Sequence, residues 1–104
     1  RGHIRGQKES HLADIIGFEW DDGNRNKNLM RHKVTTAECE EAFGDQRRAV
    51  RVDATHSKTE ARHYLVGQTN SGRLLYISFT IRSSLIRVIS ARDINRKERV
   101  LYEK

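Results

Sequence analysis

The segment from Arg73 to Arg92 constrains the fold most, because it alternates apolar and polar residues on both sides of two adjacent serines. Before the serines, one alternating set is Leu75, Ile77, Phe79 and Ile81, and the other is Tyr76, Ser78, Thr80 and Arg82. Successive side chains of a strand point to opposite faces, so the first set predicts a buried face and the second an open face. A turn at Ser83 and Ser84 then pairs residue 82 with 85, 80 with 87, 78 with 89 and 76 with 91.

This register places Arg82 and Arg87 on the same open face, as diagonal neighbours on adjacent strands. Such neighbours lie about 7–8 Å apart, which lets two guanidinium groups hold one phosphate group. The alternative is that both arginines are ordinary solvent-facing residues. Like charges close together on a sheet are destabilising without a counter-ion, which favours a functional role for the pair. The same register places Arg92 on the opposite face, at a strand end, where it is expected to pair with Glu98.

Helices are predicted before the hairpin and after it. The predicted elements are a strand over 14–20, a helix over 24–34 capped by Asp21 or Asp22, a short helix capped by Thr35 or Thr36 and ended by Gly44, strands over 47–54 and 61–69, and a closing helix capped by Asp93. This order predicts an α+β protein with helices packed on one antiparallel sheet. Residues 1–12 are expected to be a disordered lead-in, and residues 13–104 a single domain.

Positive charge is concentrated in the second half of the chain. Residues 1–44 hold seven Lys/Arg and eight Asp/Glu, a balance of −1, whereas residues 45–104 hold thirteen and six, a balance of +7. Such a basic half favours a phosphate-rich partner or an acidic protein segment. The alternative is an ordinary solvated surface.

The composition excludes several classes of protein. The one cysteine, Cys39, rules out an internal disulfide and a cysteine-based metal site. No apolar run approaches the roughly 18 residues that a membrane span requires, so no membrane association and a cytoplasmic location are expected. The histidines are scattered, without the i, i+4 pair of a zinc helix, so neither a metal nor a cofactor is expected.

Short motifs along the chain carry a family resemblance. They are Phe18-Glu19-Trp20-Asp21, Asn28, His32, Val34, Asp53-x-x-His56-Ser57, Glu60-x-Arg62, Gly67, Gly72-Arg73-Leu74-Leu75, Thr80-x-Arg82, residues 86–92, Glu98-Arg99 and Tyr102. From about residue 15 to the end, this series resembles the BrnT family of type II toxins. Two positions depart from the family pattern: Asn24 replaces a lysine, with Lys27 nearly a helical turn away, and Lys33 replaces a glycine.

The resemblance implies a RelE-like ribonuclease fold and an activity on RNA that arrests growth. It also implies neutralisation by a BrnA-type antitoxin, whose ribbon-helix-helix domain binds the operator DNA, so that the toxin reaches DNA only through its partner. A complex with two copies of each chain, or a multiple of that, is expected.

Cleaving RNA without a metal requires a group that removes the 2′-hydroxyl proton, groups that stabilise the pentavalent phosphate, and a group that protonates the leaving oxygen. We predict that Arg82 and Arg87 stabilise the phosphate. The proton carrier is predicted to be His56 or Glu60, the latter with a pKa raised by burial.

Other residues on the basic and polar faces have predicted roles as well. The residues predicted to contact RNA are Arg62, Tyr76, Arg92 and Lys27. His63 falls on the apolar face of its strand, which is typical of a core residue, and His32 either takes part in catalysis or caps its helix.

Two other functions fit the same pattern. A non-catalytic nucleic-acid-binding or co-repressor subunit would use the basic face only to hold phosphates. Alternatively, that face chiefly binds an acidic segment of the antitoxin.

Overall fold

The computed structural model describes residues 15–54 and 60–103, and within them three helices surround one five-stranded sheet. In chain order the elements are β1 (Gly17–Phe18), α1 (Asp22–His32), α2 (Thr36–Phe43), β2 (Ala49–Val52), β3 (His63–Gln68), β4 (Leu74–Arg82), β5 (Leu85–Asp93) and α3 (Arg96–Glu103). The strand order is β1-β5-β4-β3-β2. The predicted α+β class with a closing helix is confirmed. The predicted lead-in over 1–12 lies outside the described residues.

The sheet is mixed, which corrects the prediction of a purely antiparallel one. Strands β2 to β5 pair antiparallel, but β1 pairs parallel with β5, with Gly17 opposite Leu85 and Phe18 opposite Ile86. A first strand was predicted over 14–20, and only two residues of it pair. The chain then turns away into α1, because Asp21 caps the start of that helix.

Helix α2 covers the apolar face of the sheet. Phe43 packs edge-on against Phe79, with ring centroids 5.0 Å apart, and Phe79 is fully buried. The end of α2 approaches β3 so closely that a Cβ on Gly67 would lie 2.4 Å from the carbonyl oxygen of Ala42. Glycine at this position therefore permits the helix to pack directly on the strand.

The β4–β5 hairpin follows the predicted register only near its turn. Ser83 and Ser84 have φ values of 52° and 65°, as the two central residues of a type I′ turn require. Arg82 pairs with Leu85 and Thr80 with Arg87, which confirms the first half of the prediction. Beyond Phe79 the register shifts, so that residue 78 pairs with 90 and residue 76 with 92. The predicted pairs 78–89 and 76–91 are wrong, because a β-bulge adds one residue to β5.

Helix α1 supplies hydrogen bonds to β5 beside this bulge. Asn24 Nδ2 donates to the carbonyl of Val88 at 3.2 Å, and Asn28 Oδ1 accepts from the backbone N–H of Ala91 at 2.8 Å. Both asparagines are buried. They therefore satisfy backbone groups of β5 that no neighbouring strand reaches, which gives both asparagines a structural role.

The helix ends follow the predicted capping rules with one exception. Asp21 Oδ1 accepts from the backbone N–H of Asn24, and Thr35 forms a capping box with Glu38. The predicted cap of α3, Asp93, is wrong. Asn95 Oδ1 accepts from the backbone N–H of Glu98 instead, at 2.9 Å.

Asp93 is the last residue of β5 and lies too far from the start of α3 at Arg96 to cap it. Its carboxylate instead binds the guanidinium of Arg73, which donates through Nε at 2.7 Å. The same guanidinium donates to Glu38 and to the carbonyls of His32 and Lys33 at the end of α1. One side chain therefore joins the end of α1, the start of α2 and the end of β5.

Candidate functional site

Two arginines lie on the polar face of the hairpin that was predicted to be open, at the end where the chain turns. The prediction is wrong for Thr80, which lies on the same face and is buried. Arg82 and Arg87 alternate in register with Phe79 and Val88, which are buried on the opposite face. The geometric prediction that both arginines point to one side of the sheet is therefore confirmed.

Each of these arginines has a carboxylate partner. Arg82 donates through Nε and Nη2 to both oxygens of Glu60, at 2.7 and 2.9 Å. Arg87 donates through Nη2 to Asp21 at 2.8 Å, and its Nη1 lies 3.9 Å from Glu19. The expectation of two arginines without counter-ions is therefore wrong: residues before β3 and before α1 bring three acids to the hairpin.

The guanidinium groups set the ionisation of these acids. The hydrogen bond from Arg82 lowers the pKa of Glu60, and the charge of Arg87 contributes to the same shift. The prediction that burial raises the pKa of Glu60 is wrong, because this carboxylate is bound by a cation. The pKa of Asp21 is also lowered, first by the backbone N–H of Asn24 and then by Arg87.

Among the described residues, the ion pair with Glu60 leaves part of the Arg82 guanidinium available to an anion. An arginine has five N–H donors, and the contact between Arg82 and Glu60 uses one on Nε and one on Nη2. The Nη1 side of Arg82 keeps donors for a second oxyanion. Arg82 is also half-exposed, with 53% of its side-chain surface accessible. The arrangement can therefore hold a phosphate beside a carboxylate that is already ionised.

A second group of side chains crosses the same face closer to α3. Tyr64 and Tyr76 stack with ring centroids 5.1 Å apart, and the Arg92 guanidinium lies 4.4 Å from the centre of the Tyr76 ring. Arg92 also forms the predicted ion pair with Glu98, at 2.7 Å. Its predicted position on the opposite face is wrong, because the bulge in β5 returns it to the face of Tyr76.

The other predicted site residues are spread more widely. His56 lies outside the described residues. Lys27 is exposed on α1, which runs along β5, and Arg62 is half-buried just before β3. His63 stacks on Phe79 with centroids 5.4 Å apart, as expected of a residue on the apolar face.

His32 lies at the far end of β5 from Arg87. His32 is close enough to Asp93 to lower the pKa of that carboxyl. Asp93 is six residues from Arg87 along β5, so Asp93 and Arg87 are about 20 Å apart. The structure therefore does not bring His32 to the arginine pair. The backbone carbonyl of His32 accepts a hydrogen bond from the guanidinium of Arg73.

Sequence reasoning missed Asp21 as an ion-pair partner, and it missed Glu19, Arg51 and Tyr64 as members of this face. The alternation of β2 and β3 could have revealed the last two, since Arg51 lies opposite Tyr64 in the register. The acids carry no comparable signal, because Asp21 and Arg87 are 66 positions apart in the chain.

The described residues contain neither a cluster of metal ligands nor a membrane-spanning helix. No group of three or more histidine, cysteine or acidic side chains in them could hold a metal ion. No helix among the residues that the structure covers is long and apolar enough to cross a membrane.

The fold and the site define a small α+β protein with arginines and tyrosines on one open sheet face. The family described as "Ribonuclease toxin, BrnT, of type II toxin-antitoxin system" matches residues 20–98. The chain therefore belongs to the BrnT family of ribonuclease toxins, and this membership implies an antitoxin partner.

One solved structure has a similar fold. The crystal structure of the Brucella abortus ribonuclease toxin BrnT matches with a TM-score of 0.55 and 22% sequence identity, covering 77% of this chain and 97% of that one. At this identity the match shows the fold. No curated protein gives a significant match to the chain.

Proposed function

We propose that the chain is a metal-independent endoribonuclease whose site is formed by Arg82, Arg87, Glu60 and His56. The observation that carries this proposal is the pair of guanidinium groups on one open face, with an ionised carboxylate bound to the first of them. Phosphate-binding donors and a proton acceptor then lie side by side, which is what cleavage by the neighbouring 2′-hydroxyl requires.

Glu60 is ionised at neutral pH, because Arg82 binds both of its oxygens and lowers its pKa. A carboxylate that is ionised at neutral pH accepts a proton, so Glu60 takes the one that the 2′-hydroxyl releases. The 2′-oxygen then attacks phosphorus and the bond to the 5′-oxygen breaks. That leaving oxygen takes a proton from His56, giving a cyclic phosphate and a free 5′-hydroxyl. The two arginines stabilise the additional negative charge of the pentavalent intermediate.

The proposal is tested by RNA cleavage with purified protein in the presence of a chelator. Arg87→Ala should lower the cleavage rate by about 10²–10³-fold, since it removes a donor to developing charge. The fold should persist, because the backbone N–H of Asn24 still binds Asp21 at the start of α1. Arg96→Ala is the matched control, since Arg96 is an exposed arginine in α3.

Three outcomes would contradict the proposal in different ways. Wild-type cleavage by Arg87→Ala would exclude this face as the active site. Loss of cleavage in the chelator would show a metal requirement. RNA binding without cleavage by the wild-type protein would favour a non-catalytic co-repressor subunit.

The antitoxin is proposed to be of the BrnA type and to cover this face or the sheet edge in a complex with two copies of each chain. Strand β2 forms one edge and leaves Val52 63% exposed, which supports docking there. Operator DNA would be reached through the antitoxin, and the cytoplasm is the proposed compartment. Co-expression of the antitoxin should restore the growth that the wild-type protein arrests.

A further inference from the structure

Four neighbouring strands each contribute one side chain to a row across the open face. Arg51 on β2 lies opposite Tyr64 on β3, Tyr64 stacks on Tyr76 of β4, and Tyr76 lies opposite Arg92 of β5. Glu98 of α3 closes the row by binding Arg92.

The two tyrosines differ in how much of each ring is available. Tyr76 has Tyr64 against one side of its ring and the Arg92 guanidinium against the other. Among the residues that the structure describes, Tyr64 is the last aromatic ring of the stack on the β2 side, and it is partly exposed. A planar ligand can therefore stack on the outer face of Tyr64, whereas both faces of the Tyr76 ring are already in contact with protein side chains.

Arg51 differs from the other arginines of this face in its contact. Arg82, Arg87 and Arg92 each bind a carboxylate. The Arg51 guanidinium instead donates to the neutral carbonyl of Val50, at 2.8 Å, and is exposed. That contact does not neutralise its charge, so Arg51 can attract an anionic ligand to the open side of Tyr64.

We propose that Tyr64 and Arg51 form a nucleobase subsite, in which a base of single-stranded RNA stacks on Tyr64 while Arg51 binds the adjoining phosphate. Stacking on an exposed aromatic ring accepts any base, because every base has a π face. This inference rests on the proposed function and adds a second contact with the same substrate.

The spacing along the sheet fits one strand of RNA at both sites. Tyr64 pairs with Ser78, which is four residues from Arg82 along β4, a separation of about 13 Å. A few nucleotides span the distance from Ser78 to Arg82. The polar side chain of Ser78 lies on the same face as Arg82. Phosphate contacts at Arg82 and Arg87 then position the chain, and the Tyr64 subsite holds a base.

The test measures binding of two short oligonucleotides to the whole chain. One is a 2′-O-methyl RNA, which resists cleavage, and the other is an abasic strand of the same length with the same phosphates. Tyr64→Ala should weaken binding of the base-containing strand by about 5–150-fold, the range that corresponds to one stacked base. It should leave binding of the abasic strand unchanged. Tyr64→Phe keeps the ring and should bind both strands like the wild type.

Tyr64→Leu guards against a folding defect, since it keeps apolar bulk without an aromatic face. It should reproduce the selective loss while melting like the wild type. Equal weakening on both strands would overturn the inference, as would unchanged binding by Tyr64→Ala, or a loss of antitoxin binding alone. If Arg87→Ala still abolishes cleavage in those cases, the proposed function stands without this subsite. If the wild-type protein binds neither strand and cleaves no RNA, both fail.

Discussion

The residue after α1 offers a clean test of the link between sequence and backbone conformation. Lys33 has a φ of 57°, in the left-handed region, and the backbone N–H of Val34 donates to the carbonyl of Asn28 at 3.2 Å. Lys33 directly follows the last residue of α1, and glycine is the usual residue at a left-handed position that ends a helix. This chain therefore carries a lysine at a position where the backbone favours glycine.

Lys33→Gly should stabilise the protein by about 1 kcal/mol. A side chain in the left-handed region costs roughly 1–2 kcal/mol. The greater freedom of glycine in the unfolded chain offsets about 0.5–1 kcal/mol of that gain. Arg73 still reaches the backbone carbonyl of residue 33, so that contact persists. For a chain of this size, a gain of 1 kcal/mol raises Tm by about 4–8 °C.

Thermal unfolding followed by circular dichroism, with a urea titration at 25 °C, measures the effect. Lys33→Ala is the matched control, because it removes the same charge but keeps the Cβ, and its Tm should stay near that of the wild type. Lys97→Gly, inside α3, should lower Tm, since glycine is unfavourable within a helix. If Lys33→Gly melts no higher than Lys33→Ala, the strain at residue 33 is not the cause.

Two further predictions concern Arg73 and its acids. Arg73→Ala should lower the free energy of unfolding, measured by urea titration, by about 2–3 kcal/mol, because it leaves Glu38 and Asp93 without their cation and removes a donor from two carbonyls. Arg73→Lys lacks the planar guanidinium and should recover only part of this loss. Arg73 lowers the pKa of Asp93, and the backbone N–H of Thr35, followed by Arg73, lowers that of Glu38. These acids therefore stabilise the fold above their unfolded pKa values, roughly 4, and Tm should fall as pH drops through the lower folded values. The fall should be shallower in Arg73→Ala, and equal slopes would contradict the assignment.

Local patterns were enough to predict the hairpin and most helix ends. The alternation from Leu75 to Arg82 reports directly which side chains face the core, and the turn residues set the pairing next to them. Caps such as Thr35 depend on residues three positions away, so they can also be recognised in the sequence. The arginine pair at the end of the hairpin was therefore predictable.

The partners of those arginines were not predictable from local patterns. Glu60 is 22 positions from Arg82, and Asp21 is 66 positions from Arg87. The placement of Asp21 depends on the parallel pairing of β1 with β5, which brings the start of α1 to the turn end of the hairpin. The placement of Glu60 depends on the pairing of β3 with β4, which brings the residues before His63 to the end of β4. The error about the pKa of Glu60 has the same origin. The sequence does not show that Arg82 binds this carboxylate, and the effect of that cation outweighs the effect of burial.

The β-bulge shows how a single residue decides which side chains can act together. Alternation over 85–92 places Arg92 on the face opposite Arg87, and no feature of those eight residues signals an insertion. The extra residue reverses the alternation between Val88 and Ala91, where Asn24 and Asn28 of α1 bind the strand on either side of it. Because these two amides meet backbone groups in the bulged geometry, α1 stabilises the reversal. Arg92 consequently reaches the ring of Tyr76, so the helix that covers the strand edge also completes the aromatic row on the open face.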